Sequence, residues 1–541
     1  MCICNVCSHE TKTRQPRRIL ASTCSVGGSV CIECLGIESL EAQVIEAQSF
    51  LAHLEEHVQE LRARKNATHD RLTRGIPLEI TTEIFNFFVS GENPVELLGE
   101  DVGDGYSPLV LAAVCSKWRR IAFSTTRLWN NLFVYLNKFE DAEPFKNRTQ
   151  LLIDWLERTG DLPLFLRIFF DETNSNATHH MKNLGQVIGI INRYSARWGE
   201  LQLQIPYTLI PLLRGDGNGA PMLKCLDIGY PWHDDGKWSH PNGEIFSITN
   251  FTTSPLMLVN AFMPLNTILV NWSNIMEVQF NEMTVVEFLT LLRQAPRISK
   301  CRVQHIFQHR TSTPFHHSIV HHNSLVDLHL RIVVTNLANL VFQHLVLPAL
   351  TIFIYDGDPE ALTALMVRSA PRLTDFHLYR HSRNSMGSNR EVPLQLMQVL
   401  PSLETLSIDN GRLPERFFDA LSFPQSSSDI QTLPTFLPHL RHFSYSHENP
   451  TFRWPSLAKA ITARAGMLSG DGKPLLQTME FVFWEIDKTF PTYYIDKESV
   501  RQFLAARDRG IDLRIVNGTT KEDMIDCSQW YHKQRKFLGH V

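Results

Sequence analysis

The chain has 541 residues, of which 43% are hydrophobic and 20% charged, and its formal net charge is −4. This length is enough for two or more domains with a sizeable core. The near-neutral charge excludes a global basic field of the kind that holds nucleic acid by its phosphates.

Cysteine usage and hydropathy predict an intracellular protein, cytoplasmic or nuclear. Six of the ten cysteines fall in the first 34 residues and the other four are scattered, unlike the even framework of a secreted disulfide fold. No run of eighteen apolar residues predicts a membrane span, and the start, MCICNVCSHETK, lacks the apolar stretch of a secretory signal. We therefore expect no membrane partner.

Residues 1–34 form a Cys-rich segment with two Cys-x-x-Cys pairs, Cys4 with Cys7 and Cys31 with Cys34, separated by 23 residues. Two such pairs suit a tetrahedral structural zinc ion, which supplies about 10–16 kcal/mol of folding free energy to a segment with little core. The spare cysteines and His9 fall short of the eight ligands of a two-zinc cross-brace, so we predict no RING-type catalytic ligase. The alternative is a Cys-rich leader without metal. Three nearby arginines are too small a patch to predict nucleic-acid binding.

Residues 35–74 carry a heptad pattern without Gly or Pro from Ile37 onward. Apolar residues follow alternating three- and four-residue steps, which predicts a coiled-coil seam of about five heptads: Ile37, Leu40, Val44, Ala47, Leu51, Leu54, Val58, Leu61 and Leu72. Acidic residues precede basic ones along the segment, so an antiparallel partner would match acidic with basic. The segment predicts dimerisation or another coiled-coil partner; the alternative is a helix that packs on its own chain or stands as a solvated stalk.

Residues 75–135 contain two short apolar helical patterns joined by a polar, Gly-rich insert at 90–107. In GIPLEITTEIFNFF, Pro77 suits the first turn of a helix, and Ile80, Ile84, Phe85 and Phe88 recur with a helical period. PLVLAAVCSKWRRIAFSTTRLW gives a second apolar stripe. Two helices this apolar have more apolar surface than they can cover mutually, which is typical of a site for a partner.

These residues resemble an F-box. The family starts with Leu-Pro-x-Glu-Leu and Ile-Phe, continues with Val-Cys-basic-x-Trp-basic and ends with Leu-Trp; here IPLEITTEIF, VCSKWR and LW follow in that order at 76–85, 114–119 and 128–129. The long insert is similar to those of the F-box families expanded in mushroom-forming (basidiomycete) fungi. The resemblance implies docking on a Skp-family linker and through it on a cullin. It assigns the docking surface to Pro77, Leu78, Ile80, Ile84, Val114, Trp118 and Trp129, although some of these side chains could belong to the core of the module.

The remaining chain is expected to comprise a helical linker or solenoid start at 136–195, repeats at 196–518 and a C-terminal tail at 519–541. A phrase of Pro-x-Leu followed by alternating apolar residues recurs at 221–228, 371–378, 401–408 and 438–445. Its alternating end predicts a short strand with one buried face. Helical stretches lie between the copies, and one strand plus one helix per 23–37 residues resembles irregular leucine-rich repeats.

Together these patterns predict a mixed α/β chain: a long N-terminal helix, a small helical F-box, and a right-handed α/β solenoid similar to leucine-rich repeats. An ordinary α/β domain is the alternative for the repeats. The expected function is a non-catalytic substrate-recognition adaptor of a Skp–cullin–F-box ubiquitin ligase, whose repeats bind a target protein. The other possibility is a scaffold protein outside any ligase, nucleated by a zinc site and a coiled coil.

Overall fold

A computed structural model of the chain describes residues 32–68, 75–89, 107–136, 145–170, 177–205, 209–217, 219–229, 246–247, 256–261, 264–308, 318–380, 391–422, 436–467, 474–484 and 493–538. The chain divides into two compact units. The first combines Met1–Phe85 with Leu109–Phe123, and the second combines Asn86–Pro108 with Ser124–Val541. The segment expected to form an F-box therefore contributes to both units.

Helices are described along the whole chain. The first four lie at its start: α1 (Ile32–Thr68), α2 (Leu78–Val89), α3 (Pro108–Val114) and α4 (Ser116–Ser124). Ten more follow: α5 (Phe145–Arg158), α6 (Ala177–Asn192), α7 (Val285–Gln294), α8 (Thr335–Gln343), α9 (Leu362–Ser369), α10 (Leu394–Gln398), α11 (Glu415–Ser422), α12 (Trp454–Ala465), α13 (Lys497–Asp508) and α14 (Met524–Leu538). Within the described ranges no helix is long and apolar enough to cross a membrane.

The second unit is built on a parallel β-sheet. α-Helices separate many of its strands, but no described α-helix lies between β3 and β8. The strands are β1 (Asn131–Tyr135), β2 (Leu164–Phe169), β3 (Trp198–Gln204), β4 (Cys225–Gly229), β5 (Phe246–Ser247), β6 (Leu256–Ala261), β7 (Ile268–Leu269), β8 (Ile275–Thr284), β9 (Lys300–Phe307), β10 (Val320–His321), β11 (Asp327–Ile332), β12 (Leu345–Val346), β13 (Ile352–Gly357), β14 (Asp375–Tyr379), β15 (Thr405–Asp409), β16 (His442–His447), β17 (Thr478–Phe483) and β18 (Asp512–Asn517).

The described strands of the main sheet number fourteen, and their spatial order follows their order in the chain. Each is hydrogen-bonded in parallel to the next. The short strands pair separately, β5 with β7 and β10 with β12. Parallel neighbours require a crossover connection, and the intervening helices and loops supply it.

Alternation along the strands places the core on one face of the sheet. In β15, Leu406 and Ile408 are buried while Thr405, Ser407 and Asp409 are half-buried. The same alternation in β4, β14 and β16 confirms the strands that the Pro-x-Leu phrase predicts. The residues of β14 to β18 that alternate with the buried ones, whether half-buried or exposed, form the surface that we call the open face.

Helices pack aromatic side chains on the buried face of the sheet. Phe342 of α8 lies 5.3 Å from Tyr355 of β13, measured between ring centroids, and Phe417 of α11 lies 5.6 Å from Phe443 of β16. Local caps fix where these helices begin. The Thr284 hydroxyl accepts from the Glu287 amide and the Glu287 carboxylate accepts from the Thr284 amide, which is a capping box that starts α7.

Two positions of the second unit constrain substitution. Gly357 closes β13 where an added Cβ would collide with the Ile332 carbonyl of the neighbouring strand. His322 is 2% exposed and its Nε2 lies 3.1 Å from the Ala295 carbonyl oxygen, while its Nδ1 has no hydrogen-bond partner among the described residues. Burial lowers the pKa of His322 below its ordinary value of 6.5, because a charged ring would be desolvated there.

The sheet extends beyond the residues expected to form it. Strands β1 and β2 lie before residue 196: β1 falls in the segment expected to be an F-box, and β2 in the segment expected to be a helical linker or the start of the solenoid. At the other end, the expected tail contains α14, whose Met524 and Ile525 are buried. The mixed α/β class and the long N-terminal helix agree with the sequence analysis. Helix α1 begins at Ile32 and covers residues 35–68 of the heptad segment, whereas residues 69–74 lie outside the described ranges.

Candidate docking surface

Pro77 fixes the start of α2. Its carbonyl oxygen accepts hydrogen bonds from both the amide and the hydroxyl of Thr81, each at 3.1 Å. The pyrrolidine ring also pre-sets φ for the first turn, where its missing N–H costs nothing. Pro77 and the following Leu78 are exposed, so the start of the helix presents apolar surface to solvent.

Helix α2 carries two neighbouring rows of residues with helical spacing, and only one of them is buried. Thr81, Phe85 and Val89 recur at i, i+4 and i+8 and are at most 6% exposed. Ile80, Ile84 and Phe87 recur at i, i+4 and i+7 and are 52%, 50% and 87% exposed. A surface helix normally turns its apolar stripe to the core and its polar residues to solvent. The uncovered face of α2 is therefore surface that another polypeptide could cover.

Helices α3 and α4 are joined by Cys115, which fixes the turn between them. Its sulfur accepts from the Trp118 amide at 3.4 Å. Arg119 Nε donates to the Ala112 carbonyl oxygen at 2.9 Å and so satisfies an acceptor near the C-terminal end of α3. Leu111 is buried, whereas Val114 at the end of α3 is 50% exposed.

Trp118 belongs mainly to the core of the first unit. Its ring lies 4.9 Å from Phe85, which joins α2 to α4. The side chain is half-buried, and its buried indole Nε1 has no hydrogen-bond partner among the described residues. We therefore place Trp118 behind the docking surface, with a part of its ring accessible.

Trp129 does not fit its predicted docking role. It is 0% exposed, lies in the second unit, and packs edge-to-face on Trp155 with 4.7 Å between ring centroids. The Trp155 indole N–H donates to the Trp129 carbonyl oxygen at 2.8 Å, and the Arg158 guanidinium lies 5.1 Å from the Trp129 ring. The sequence motif identifies an aromatic anchor here, but this anchor is sealed within the core.

Four predicted residues remain as apolar side chains that are half or more exposed. We call them the docking residues: Leu78, Ile80, Ile84 and Val114. Phe87 continues the same face of α2 and was missed in the sequence analysis, which assigned Phe85 and Phe88 to one broad face instead. Its spacing of seven from Ile80 was the available signal.

The open face of the sheet offers a second, more polar surface. A shallow cavity of about 470 Å³ lies there, with small side chains of β15 and β16 on its floor: Thr405, Ser407 and Ser444. His377 and Tyr379 stack with parallel rings on one side. Register places Ser407 beside both His377 and Ser444, and the next strands continue this row with Glu480 and Arg514.

The imidazole of His377 on this surface favours the neutral form. Burial lowers the pKa of His377 against the opposing effect of Asp375. Nδ1 of His442 lies 2.7 Å from the Thr478 hydroxyl. The cavity therefore presents hydroxyls and imidazoles together with the charged side chains of Glu480, Asp512 and Arg514, which suits a polar segment of a partner.

The structure leaves the predicted zinc ligands outside its description. Cys4, Cys7 and Cys31 lie outside the described residues, and so does the side chain of Cys34. In the ranges that are described, no group of three or more His, Cys, Asp or Glu side chains could hold a metal ion.

Comparison with known proteins adds no assignment to this geometry. No known family's sequence model matches the chain. No curated protein matches it in sequence either.

Proposed function

We propose that the chain is the substrate-recognition adaptor of a Skp–cullin–F-box ubiquitin ligase. In this proposal the docking residues bind a Skp-family linker, and through it a cullin, in the cytoplasm or nucleus. The observation that carries the proposal is the uncovered apolar face of α2, with Ile80 and Ile84 at least half exposed beside a buried face. The F-box resemblance of residues 76–129 supports it independently.

The energetic reason is the cost of leaving these side chains in water. Fully burying one aliphatic side chain stabilises a complex by about 1.5–3 kcal/mol. The four docking residues are already about half buried. Covering each of them with the linker would therefore contribute roughly half of this free energy. Large exposed apolar side chains are typical of a site for a partner.

A binding assay with the purified Skp-family linker tests the proposal. The wild-type chain should bind, and the Pro77→Ala/Leu78→Ala variant should not. A known F-box protein serves as positive control for the linker. Absence of binding by the wild-type chain, under conditions in which the control binds, would exclude the ligase role.

We infer further that the repeats form a solenoid similar to leucine-rich repeats and hold the target protein. The sequential order of the parallel strands supports this, because stacked strand–helix units place each strand beside the next one in the chain. The chain itself performs no chemistry in this mechanism. Docking and target binding on one chain make transfer of ubiquitin to target lysines effectively intramolecular.

We propose that the open-face cavity is part of the site that binds the target protein. Filling it with Ser407→Trp should weaken target capture, because the indole would occupy the space above the small side chains. Proximity labelling from cells expressing the wild-type chain, the Ser407→Trp variant and the Pro77→Ala/Leu78→Ala variant separates the two surfaces. Targets should be lost with Ser407→Trp and kept with the docking variant, which should lose only the linker and the cullin.

A scaffold outside any ligase is the second candidate function. The exposed seam of α1, with Leu40 62% and Leu51 57% exposed, favours it because such a seam can assemble chains without a linker. The linker-binding assay distinguishes the two candidates: a scaffold retains its repeats and its seam but has no affinity for the Skp-family linker.

A further inference from the structure

Helix α1 is one uninterrupted helix of 37 residues in the described chain, Ile32–Thr68. Within α1, every large apolar residue of the seam is at least 44% exposed, including Ile37, Leu54, Val58 and Leu61. An isolated helix in water gains little from propensity alone, and helices of this type derive their stability from packing. The seam therefore needs an occupant.

We propose that α1 pairs with α1 of a second copy of the chain in an antiparallel coiled coil. This inference is independent of the docking residues. In an antiparallel pair, residues at the first position of the heptad (a) face residues at the fourth position (d) of the other helix. One register makes every layer apolar over three and a half heptads: Ile37 faces Leu61, Leu40 faces Val58, Val44 faces Leu54, and Ala47 faces Leu51. This length is enough to sustain a coiled coil.

Charge selects the second copy and its direction. The helix carries seven acidic residues and no Lys or Arg before Arg62, then three basic residues within four positions. In the register above, the layer after Ile37 and Leu61 places Glu33 of one copy opposite Lys65 of the other, and symmetry makes this pair twice. A parallel pair in register would instead place Lys65 against Lys65. The antiparallel pair therefore converts a like-charge contact into two attractions.

This arrangement would separate the docking residues of one copy from those of the other. With 1.5 Å of rise per residue, the C-terminal ends of the two α1 helices lie about 55 Å apart. Each copy would then carry its own Skp-family linker at opposite ends of the coiled coil. A target that presents two sites would be held with an avidity that neither copy has alone.

The first experiment measures the mass of the full chain by sedimentation equilibrium. The wild-type chain should sediment at twice its 62.1 kDa. Leu54→Asp places a charge in the seam and should give a monomer. Ser49→Asp adds the same charge on the outer side of the same helix and should leave the dimer intact. A wild-type monomer at micromolar concentration, or a Leu54→Asp dimer, would overturn the proposal.

The second experiment tests direction by charge reversal. Lys65→Glu and Glu33→Lys should each weaken the dimer about 10- to 30-fold, because two attractive pairs become repulsive. The double variant Glu33→Lys/Lys65→Glu restores attraction only if position 33 meets position 65 of the other copy, since the two positions are about 48 Å apart within one helix. Recovery of wild-type affinity supports the antiparallel pair. A double variant as weak as the single ones overturns it. Linker binding should be unchanged throughout, so that this result stands apart from the docking proposal.

Discussion

The docking proposal can be tested by removing the same atoms at two places that are equally exposed. Ile84→Ala/Val114→Ala truncates two docking residues that are each 50% exposed. Ile319→Ala/Val334→Ala truncates an isoleucine and a valine that are 50% and 52% exposed elsewhere on the chain. The two double variants lose identical atoms from nearly identical degrees of exposure, so that differences in binding report location.

The expected loss of affinity follows from the exposed fraction. Complete burial of an isoleucine or valine contributes about 1.5–3 kcal/mol, and half of that remains to be gained when the linker covers a half-exposed side chain. Two truncations therefore remove about 1–3 kcal/mol of binding free energy, since alanine keeps one methyl group. This corresponds to a roughly 5- to 150-fold increase in the Kd for the linker.

Isothermal titration calorimetry with the purified Skp-family linker measures this difference, and urea unfolding of each variant measures folding stability. Both double variants should lose similar folding free energy, because both also remove the buried half of each side chain. Only Ile84→Ala/Val114→Ala should bind the linker more weakly. Equal binding by all three proteins would refute the assignment of the docking residues. Equal weakening by both variants would show that lost stability, rather than lost contact, explains the effect.

Three further outcomes concern positions outside the docking residues. Trp129→Ala should lower the free energy of unfolding by about 3–5 kcal/mol while leaving the Kd for the linker unchanged, as urea unfolding and calorimetry can establish. Gly357→Ala should destabilise by about 1–3 kcal/mol because its Cβ meets backbone, whereas Gly189→Ala, at a helical glycine with nothing within 4 Å of the added Cβ, should stabilise by about 0.5–1 kcal/mol. For His322 the folded-state pKa lies below the unfolded value of 6.5, so the unfolded chain takes up its proton first and stability should fall as pH drops below 6.5, by at most about 1.4 kcal/mol per pH unit for this group. His322→Gln, which keeps a donor for the Ala295 carbonyl, should flatten this part of a pH series of urea unfolding curves, and His321→Gln at the exposed neighbour should not; identical pH profiles for wild type and His322→Gln would contradict the assignment.

The repeat strands were predictable because their signal is local. The Pro-x-Leu phrase ends in an alternation of period two, and Leu406 and Ile408 are buried as that period requires. Strand β2, with the sequence LFLRIF, was missed because it has neither the phrase nor a clear alternation of apolar and polar residues. Short apolar runs do not distinguish strand from helix by period alone.

The docking surface was predictable in composition but not in orientation. The apolar residues of α2 cover more than half of its circumference, so the period cannot tell which of them faces the core. Packing decides this: Phe85 lies against Trp118 and is 1% exposed, while Phe87, two residues later, is 87% exposed. Trp129 illustrates the same limit, since a motif gives the position of a tryptophan and only the surrounding elements determine whether it is covered.

The two proposed surfaces differ in chemistry in a way that suits their different tasks. The docking residues are uncharged and apolar, so their contribution to binding should persist at high salt, where exposed ion pairs are screened. The open face carries hydroxyls, imidazoles and a few charges, and the free energy that they contribute depends on the hydrogen-bond partners that a target supplies. A linker shared by many adaptors needs only a general apolar site, whereas discrimination among targets needs polar groups that are left unpaired by the wrong partner. Linker binding that is insensitive to salt, together with target binding that is sensitive to single open-face substitutions, is therefore the joint behaviour expected of one adaptor chain.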